Sequence, residues 1–397
     1  MQVKLSRLAG KYSVTIYCPD THVTYDRNVM DHKGVGGGAT ARVRAAYALA
    51  DCGHRVRLFI NCPKERTEFS VETRHFSKLI KDHSDIFIAS TSGGQFDLSS
   101  LEKINFNSRL KILLVHGIAQ PNGLSSYPFD FVYSPSNFIR EKAVHEWGMP
   151  PGKVFVSHRG VVESHFVIRS WPTPKRDPFA LLYAGHPSKG LDTAIAILRS
   201  LRQIDNRFVL HTYGGARLWG EAGENPLPEP GITYHGIIGQ RQLAREMQRC
   251  SFSINLQNRQ EPFGMTLIEA MRAGCITLAS PVGAYPEIIA NGYNGFLVPG
   301  DHTQEPARQV AVDIILALTR NPDYVDYLRR NAIHTPLTWD TVARTWEGHW
   351  NWFFTGKQPP GTAGLGACNE CQGAWLPLAD GLHCINCGNY QRKSSST

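Results

Sequence analysis

Apolar residues alternate at Val14 and Ile16 ahead of a polar run from Asp20 to Lys33, a pattern that predicts a strand followed by a loop. Gly34-Val-Gly-Gly-Gly then leads into an alanine-rich helix over 39–50, closed by Gly53 as helix C-termini commonly are. Short apolar runs at 55–60, 85–89, 111–116, 131–133 and 153–157 predict further strands. Helical text over 71–81, over 98–107 and from the Ser134-Pro-Ser cap to Trp147 separates them. Such alternation implies a parallel sheet covered on both faces, complete near Phe166.

A joint follows, marked by Ser157-His-Arg-Gly and the proline-rich stretch 171–178, and the alternation then starts again. Strands are expected at 180–185, 208–213, 232–235, 252–256 and 275–279, with helices at 191–201, 241–249 and 267–273 and helical text over 304–330. A last helix, 338–354, carries Trp339, Trp346, Trp350 and Trp352. Its aromatic face is expected to pack on the protein itself rather than on a membrane surface. Residues 356–366 read as a Pro/Gly linker.

Composition adds bounds to this picture. A chain of 397 residues with 42% hydrophobic content can bury two cores. The net charge of +8 arises mostly within residues 1–166, and a surplus of this size suits either an anionic partner or an ordinary soluble enzyme. Charges interrupt the N-terminal stretch, and no run reaches the roughly 18 apolar residues of a spanning helix. The expectation is a cytoplasmic protein, with peripheral association at the inner face of a membrane as its nearest variant.

The nine cysteines fall into two groups. Cys18, Cys52, Cys62, Cys250 and Cys275 are scattered and read as reduced, mainly buried thiols. Cys368, Cys371, Cys384 and Cys387 form two C-x-x-C knuckles, which suit a tetrahedral zinc ribbon stapling a tail too small for its own core. Redox pairs or unliganded cysteines are the alternatives. The ribbon's role would be structural or a docking surface for a protein partner or membrane. Nucleic acid is not expected, because only Arg392 and Lys393 follow the last knuckle.

The candidate chemistry concentrates between Glu261 and Asp301. Glu261 and Glu269 flank seven residues, Gly264 opens a helix between them, and a strand follows from Cys275. Two fixed carboxylates can accept hydrogen bonds from sugar hydroxyls, and a helix start offers free N–H groups and a positive dipole end to phosphate. Hydroxyls with phosphate describe a nucleotide sugar. A plain solvated helix can show the same carboxylate spacing, so the pair alone decides nothing.

The order of the neighbouring segments carries more. Glu-Pro-Phe-Gly, Ile-Glu-Ala-Met-Arg-Ala-Gly, Ser-Pro-Val-Gly-Ala-Tyr-Pro-Glu-Ile-Ile and Asn-Gly-Tyr-Asn-Gly-Phe-Leu-Val-Pro follow one another. This resembles the donor-site signature of retaining family-4-type glycosyltransferases (glycosyl transferases group 1) of the GT-B fold. The resemblance covers about residues 12–350 and is more specific in the second half. It implies an α/β protein of two Rossmann-like domains facing across a cleft, here with a small C-terminal zinc-ribbon-like module. The expected organisation is an acceptor-side domain at 1–170, a nucleotide-sugar donor domain at 177–337, a helix at 338–355 crossing back to the first domain, a linker at 356–366 and the ribbon at 367–391.

By the same resemblance, Lys189 would neutralise the donor diphosphate and Glu261 would hold the donor sugar. His116 would face that sugar from the first domain, these three being the expected catalytic set. Glu269 would hold the ribose. Phe263, Gly264, Met265 and Thr266 would form the phosphate-binding helix start, with Gly37 and Gly38 approaching the same phosphates or the acceptor from the first domain. Many relatives carry an earlier arginine as well, in a longer loop; here the loop is shorter and His186 stands nearest, which makes it the candidate second donor contact, with a hydrogen-bond donor or a surface residue as the alternatives. They also usually carry an asparagine where this chain has Arg159. The implied reaction moves a sugar, of hexosyl type, from a nucleotide-diphosphate donor to a glycan, lipid or small-molecule hydroxyl, with retention and without a metal at the donor site. An epimerase or phosphorylase of the same fold, or a non-catalytic nucleotide-sugar-binding scaffold docked through the ribbon, is the alternative.

Overall fold

The computed structural model describes residues 12–93, 96–166, 176–223 and 227–356, and in the tail 368–369, 375–377, 381–384 and 390–392. Two sheets dominate it. The first has eight strands in the order Val154–Val156, Phe131–Ser134, Leu110–Leu114, Ile86–Ser90, Ser13–Tyr17, Arg55–Ile60, Val71–His75 and Arg66–Glu68. All neighbours are parallel except the last pair. The second has six parallel strands, ordered Ile232–Tyr234, Val209–Gly214, Asp177–Gly185, Cys250–Asn255, Ile276–Ala279 and Phe296–Leu297. Strands such as Ile86–Ser90 and Cys250–Asn255 are buried at every position, as sheets covered on both faces require.

The alanine-rich segment forms the helix Gly37–Asp51, buried from Ala39 through Ala50. Small side chains suit this place because the helix is covered on one side by the sheet and on the other by the terminal helix Trp339–Thr355. Trp346 and Trp350 of that terminal helix are essentially fully buried within the first core, and Trp346 Nε1 donates to Ser157 Oγ at 2.6 Å. The aromatic face therefore packs on the protein. Two chain segments joining the sheets run side by side: Val161 N–H donates to Leu337 O at 3.0 Å and Trp339 N–H to Val161 O at 3.3 Å. A Cβ on Gly160 would stand 2.2 Å from the Thr338 carbonyl carbon, so only glycine lets these segments touch.

Arg159, the departure from the resembled pattern, is buried at this crossing and donates to Val115 O at 2.6 Å and Ser157 O at 2.9 Å. It ties the joint to the end of strand Leu110–Leu114. Burial pulls its pKa down to about 9.

Four local expectations are corrected. Residues 71–81 begin with a strand, because Val71 and Thr73 alternate inward; Phe69 and Ser70 turn the chain in left-handed backbone to pair Arg66–Glu68 with it. The polar run 20–33 contains a short helix, Arg27–His32, capped by Asp26 accepting from Val29 N–H at 2.8 Å. Residues 98–107 form a 3-10 turn, Leu98–Lys103, and a two-residue strand. Helical text 304–330 is two helices, Glu305–Thr319 and Pro322–Ile333, since Pro322 cannot continue a helix but can start one under its Asn321 cap.

The tail forms a three-stranded antiparallel sheet, Trp375–Pro377, Gly381–Cys384 and Tyr390–Arg392. Cys368 and Cys384 are both buried and cluster with Trp375. Cys371, Cys387, most of the linker and most of the proline-rich joint lie outside the described residues. Among the described residues no group of three potential metal ligands comes together, and no helix is long and apolar enough to cross a membrane.

Candidate active site

A cavity of about 700 Å³ opens between the two sheets, and the C-terminal ends of their strands supply its walls. This is where parallel sheets expose loops and helix starts to ligands. His116 and Gly37–Gly38 line one wall, while His186, Lys189, Glu261 and Phe263 to Thr266 line the other, with Glu269 below. Every residue singled out for the donor in the sequence therefore lines one space.

The two walls touch at the glycine loop. A Cβ on Gly37 would stand 3.3 Å from Met265 Cγ, and one on Gly38 3.6 Å from His116 Cβ. Nearby, a Cβ on Gly34 would stand 2.2 Å from Ile238 O, so the backbones of the two units meet without an intervening side chain.

His116 follows the strand Leu110–Leu114, and its N–H is fixed by Thr91 Oγ1 at 2.9 Å. Its Nε2 lies 3.1 Å from Ser90 Oγ, which also accepts from Arg42 Nε at 2.9 Å. Burial first, then Arg159 and Arg42, push the imidazole pKa well below its ordinary value. This favours the neutral imidazole, which can hydrogen-bond but is a poor imidazolium acid near pH 7.

Lys189 closes the turn Pro187–Lys189, and its Nζ lies 2.7 Å from Glu261 Oε2. Gln257 Nε2 donates to the same oxygen at 3.3 Å and to Tyr285 Oη at 3.0 Å, holding the carboxylate in a buried corner. Three residues later Gly264 adopts φ 104°, where a Cβ would lie 2.5 Å from the Tyr285 ring. That left-handed residue turns the chain into the helix Met265–Arg272, whose first N–H groups have no carbonyl of a preceding turn to bond. Phe263 is buried and its ring stacks on His158 at 5.9 Å, which anchors the loop before the helix.

Glu269 lies on this helix and is buried, and burial lifts its pKa to about 7 against the opposing hydrogen bond from Gln240 and the charge of Arg44. Gln240 Nε2 donates to Glu269 Oε1 at 2.6 Å, while Gln240 Oε1 accepts from Arg44 Nε at 3.0 Å. Arg44 also pairs with Asp31. The chain Arg44–Gln240–Glu269 thus runs from the first unit's alanine-rich helix to the second unit's carboxylate.

His186 does not present a ring nitrogen to the cavity. Its Nδ1 accepts from Ser188 N–H at 3.3 Å and lies 2.9 Å from Ser188 Oγ, and its Nε2 faces Glu221 Oε2 at 3.1 Å. Trp219 covers its face, with ring centroids 3.7 Å apart and planes 9° apart. Sequence reasoning did not single out Gln240, Gln257, Trp219 or Arg259. Gln240, Gln257 and Trp219 lie outside any motif, while Arg259 is a cation two residues ahead of the signature stretch that opens at Glu261.

Residues 167–334 match the family model of glycosyl transferases group 1. D-inositol 3-phosphate glycosyltransferase from Streptomyces scabiei is 30% identical over 186 residues, which cover 42% of this chain and 42% of that protein. The chain spans less than half the length of this and the other first curated relatives it matches. Sucrose-phosphate synthase from Thermosynechococcus elongatus superposes with a TM-score of 0.62 at 16% identity, covering 87% of this chain and all of that one. A structure of Anabaena Alr3699/HepE in complex with UDP-glucose superposes with a TM-score of 0.57 at 15% identity, covering 84% and 97%. The two-sheet α/β architecture is the fold of these solved structures, and the match to the glycosyl transferases group 1 model falls on the second unit.

Proposed function

We propose that this chain is a retaining glycosyltransferase that moves a sugar from a nucleotide-diphosphate donor to an acceptor hydroxyl in the cleft between the two sheets. The observation that carries the reading is the Lys189–Glu261 pair at 2.7 Å beside the start of helix Met265–Arg272, inside one cavity of about 700 Å³. A cation, a buried carboxylate and a helix N-terminus together suit the diphosphate and the sugar of one ligand. The complex of Anabaena Alr3699/HepE with UDP-glucose, a protein of the same fold, supports a donor of this class.

In this reading Glu261 accepts hydrogen bonds from donor sugar hydroxyls and Glu269 from the ribose. The N–H groups of Met265 and Thr266, with Gly37 and Gly38 opposite, meet the diphosphate, and neutral His116 bonds the sugar from the first unit. The bond between the anomeric carbon and the β-phosphate oxygen breaks while the acceptor oxygen bonds the same face of that carbon. The acceptor's proton passes to the departing phosphate oxygen. Charge grows on the diphosphate as this proceeds, so Lys189 stabilises the transition state more than the ground state. No carboxylate nucleophile and no metal at the donor site are needed. Units divided at 1–170 and 177–337, with the terminal helix returning to the first, would let the cleft close around the donor.

The tail is proposed as a zinc ribbon held by Cys368, Cys371, Cys384 and Cys387. Burial of Cys368 and Cys384 against Trp375 on a small antiparallel sheet fits thiolates turned inward, in a module with little other core. Zinc would supply structural cross-linking only. Elemental analysis of purified protein should find about one zinc per chain; none would refute the ribbon.

Incubation with a panel of nucleotide sugars and acceptors, followed by mass spectrometry and NMR of the product, tests the reaction. A glycosylated acceptor with the donor's anomeric configuration is expected. An isomerised donor or a sugar phosphate would show an epimerase or a phosphorylase instead.

A further inference from the structure

We propose that Arg259 supplies the second cation for the donor diphosphate, its guanidinium being held at the cavity wall by Ser188 and Trp219; this rests on the glycosyltransferase reading above. Arg159, at the joint, donates to two backbone carbonyls, and the other described basic groups on the second unit's side of the cavity are already engaged. Lys189 is paired with Glu261 at 2.7 Å, and both nitrogens of His186 are engaged, one by Ser188 and the other by Glu221. Glu221 can only accept, so Nε2 carries the His186 proton and Nδ1 accepts from the Ser188 N–H. His186 therefore caps the turn Pro187–Lys189 and has no N–H left for a ligand.

Arg259 stands on the same wall with different chemistry. It lines the cavity, its guanidinium carbon lies 5.2 Å from the Trp219 ring centroid, and its Nη1 donates to Ser188 Oγ at 2.9 Å. Among the described residues no carboxylate pairs with it, and one donor of a five-donor fork is used. A planar fork matches phosphate oxygens in pairs, and the cation–π contact with the indole holds the guanidinium at the wall before the ligand arrives. Its place two residues before Glu261 puts this cation on the loop that also carries the proposed sugar-binding carboxylate. Trp219 thus holds three groups at one rim, with His186 stacked at 3.7 Å, Arg259 at 5.2 Å and Lys189 Nζ at 5.8 Å. The ligand chemistry that fits is a diphosphate carrying more negative charge than one paired lysine can offset.

The test is calorimetric binding of UDP, GDP, ADP and dTDP, and of the matching nucleosides, to the full chain and to its Arg259→Ala and Arg259→Lys variants. Arg259 is exposed, so both variants should fold as the parent does, with circular dichroism as the check. Arg259→Ala is expected to weaken the preferred nucleoside diphosphate by about ten- to a hundredfold, on the scale of hydrogen bonds to charged groups, and to leave the nucleoside unchanged. Arg259→Lys should recover part of the loss. Equal diphosphate affinity in Arg259→Ala and the parent overturns this inference alone. A parent chain that binds none of the four nucleoside diphosphates overturns the glycosyltransferase reading as well.

Discussion

Lys189 and Glu261 neutralise each other across 2.7 Å in a cavity wall, one following the strand Asp177–Gly185 and the other the strand Cys250–Asn255. In the proposed function, a donor entering there would exchange this ion pair for two separate contacts, phosphate to lysine and sugar to carboxylate. Lys189→Ala and Glu261→Ala should each lower kcat by about a hundredfold or more, the scale of one lost transition-state contact. Their effects on product binding should differ in sign. Glu261→Ala leaves Lys189 unpaired and should tighten free nucleoside diphosphate, whereas Lys189→Ala should weaken it; competition binding distinguishes the two.

Glu269 gives a pH prediction. Its pKa rises to about 7 from the ordinary 4.5 because burial opposes the charged form. The folded chain therefore holds a proton that the unfolded chain has lost between about pH 4.5 and 7, so this group's contribution to stability falls as pH rises through that window and is constant above it. At about 1.4 kcal/mol per pKa unit, the cost above pH 7 is about 3 kcal/mol. Glu269→Gln keeps an acceptor for Gln240 and removes the slope. Urea unfolding at pH 5 and pH 8 should show the variant gaining relative stability at pH 8, while its KM for the donor rises.

Gly264 is fixed by geometry. At φ 104°, with a Cβ 2.5 Å from the Tyr285 ring, Gly264→Ala must move either the helix start or the ring. A backbone strain of about 1–3 kcal/mol is expected. Thermal unfolding should register it, and kcat should fall because the helix N-terminus no longer points into the cavity.

Trp346 tests the terminal helix. Its indole is buried in the first core and donates to Ser157 Oγ at 2.6 Å. Trp346→Ala should destabilise the chain by about 3–5 kcal/mol, read from urea unfolding.

Much of this architecture was legible because fully buried strands such as Cys250–Asn255 write continuous apolar runs, and because Gly53 and the Ser136 cap punctuate helices. The hairpin at 66–75 was missed because an edge strand with one polar face looks helical over a few residues. In the cavity, Glu261, Glu269 and Lys189 were legible from a local motif. Gln240 was not, since its meaning depends on Arg44, 196 residues earlier in the chain. His186 was legible as a position but not as a role: its neighbours Glu221 and Trp219 decide which way its nitrogens face, and they arrive from a different loop.

The most direct measurement is release of free nucleoside diphosphate from a panel of UDP-, GDP-, ADP- and dTDP-sugars, with and without glycan acceptors, by the parent chain and by Lys189→Ala. Release from at least one donor is expected, faster with acceptor, with a loss of about a hundredfold or more in the variant. No release from any donor, or equal release by both proteins, would contradict the proposed function.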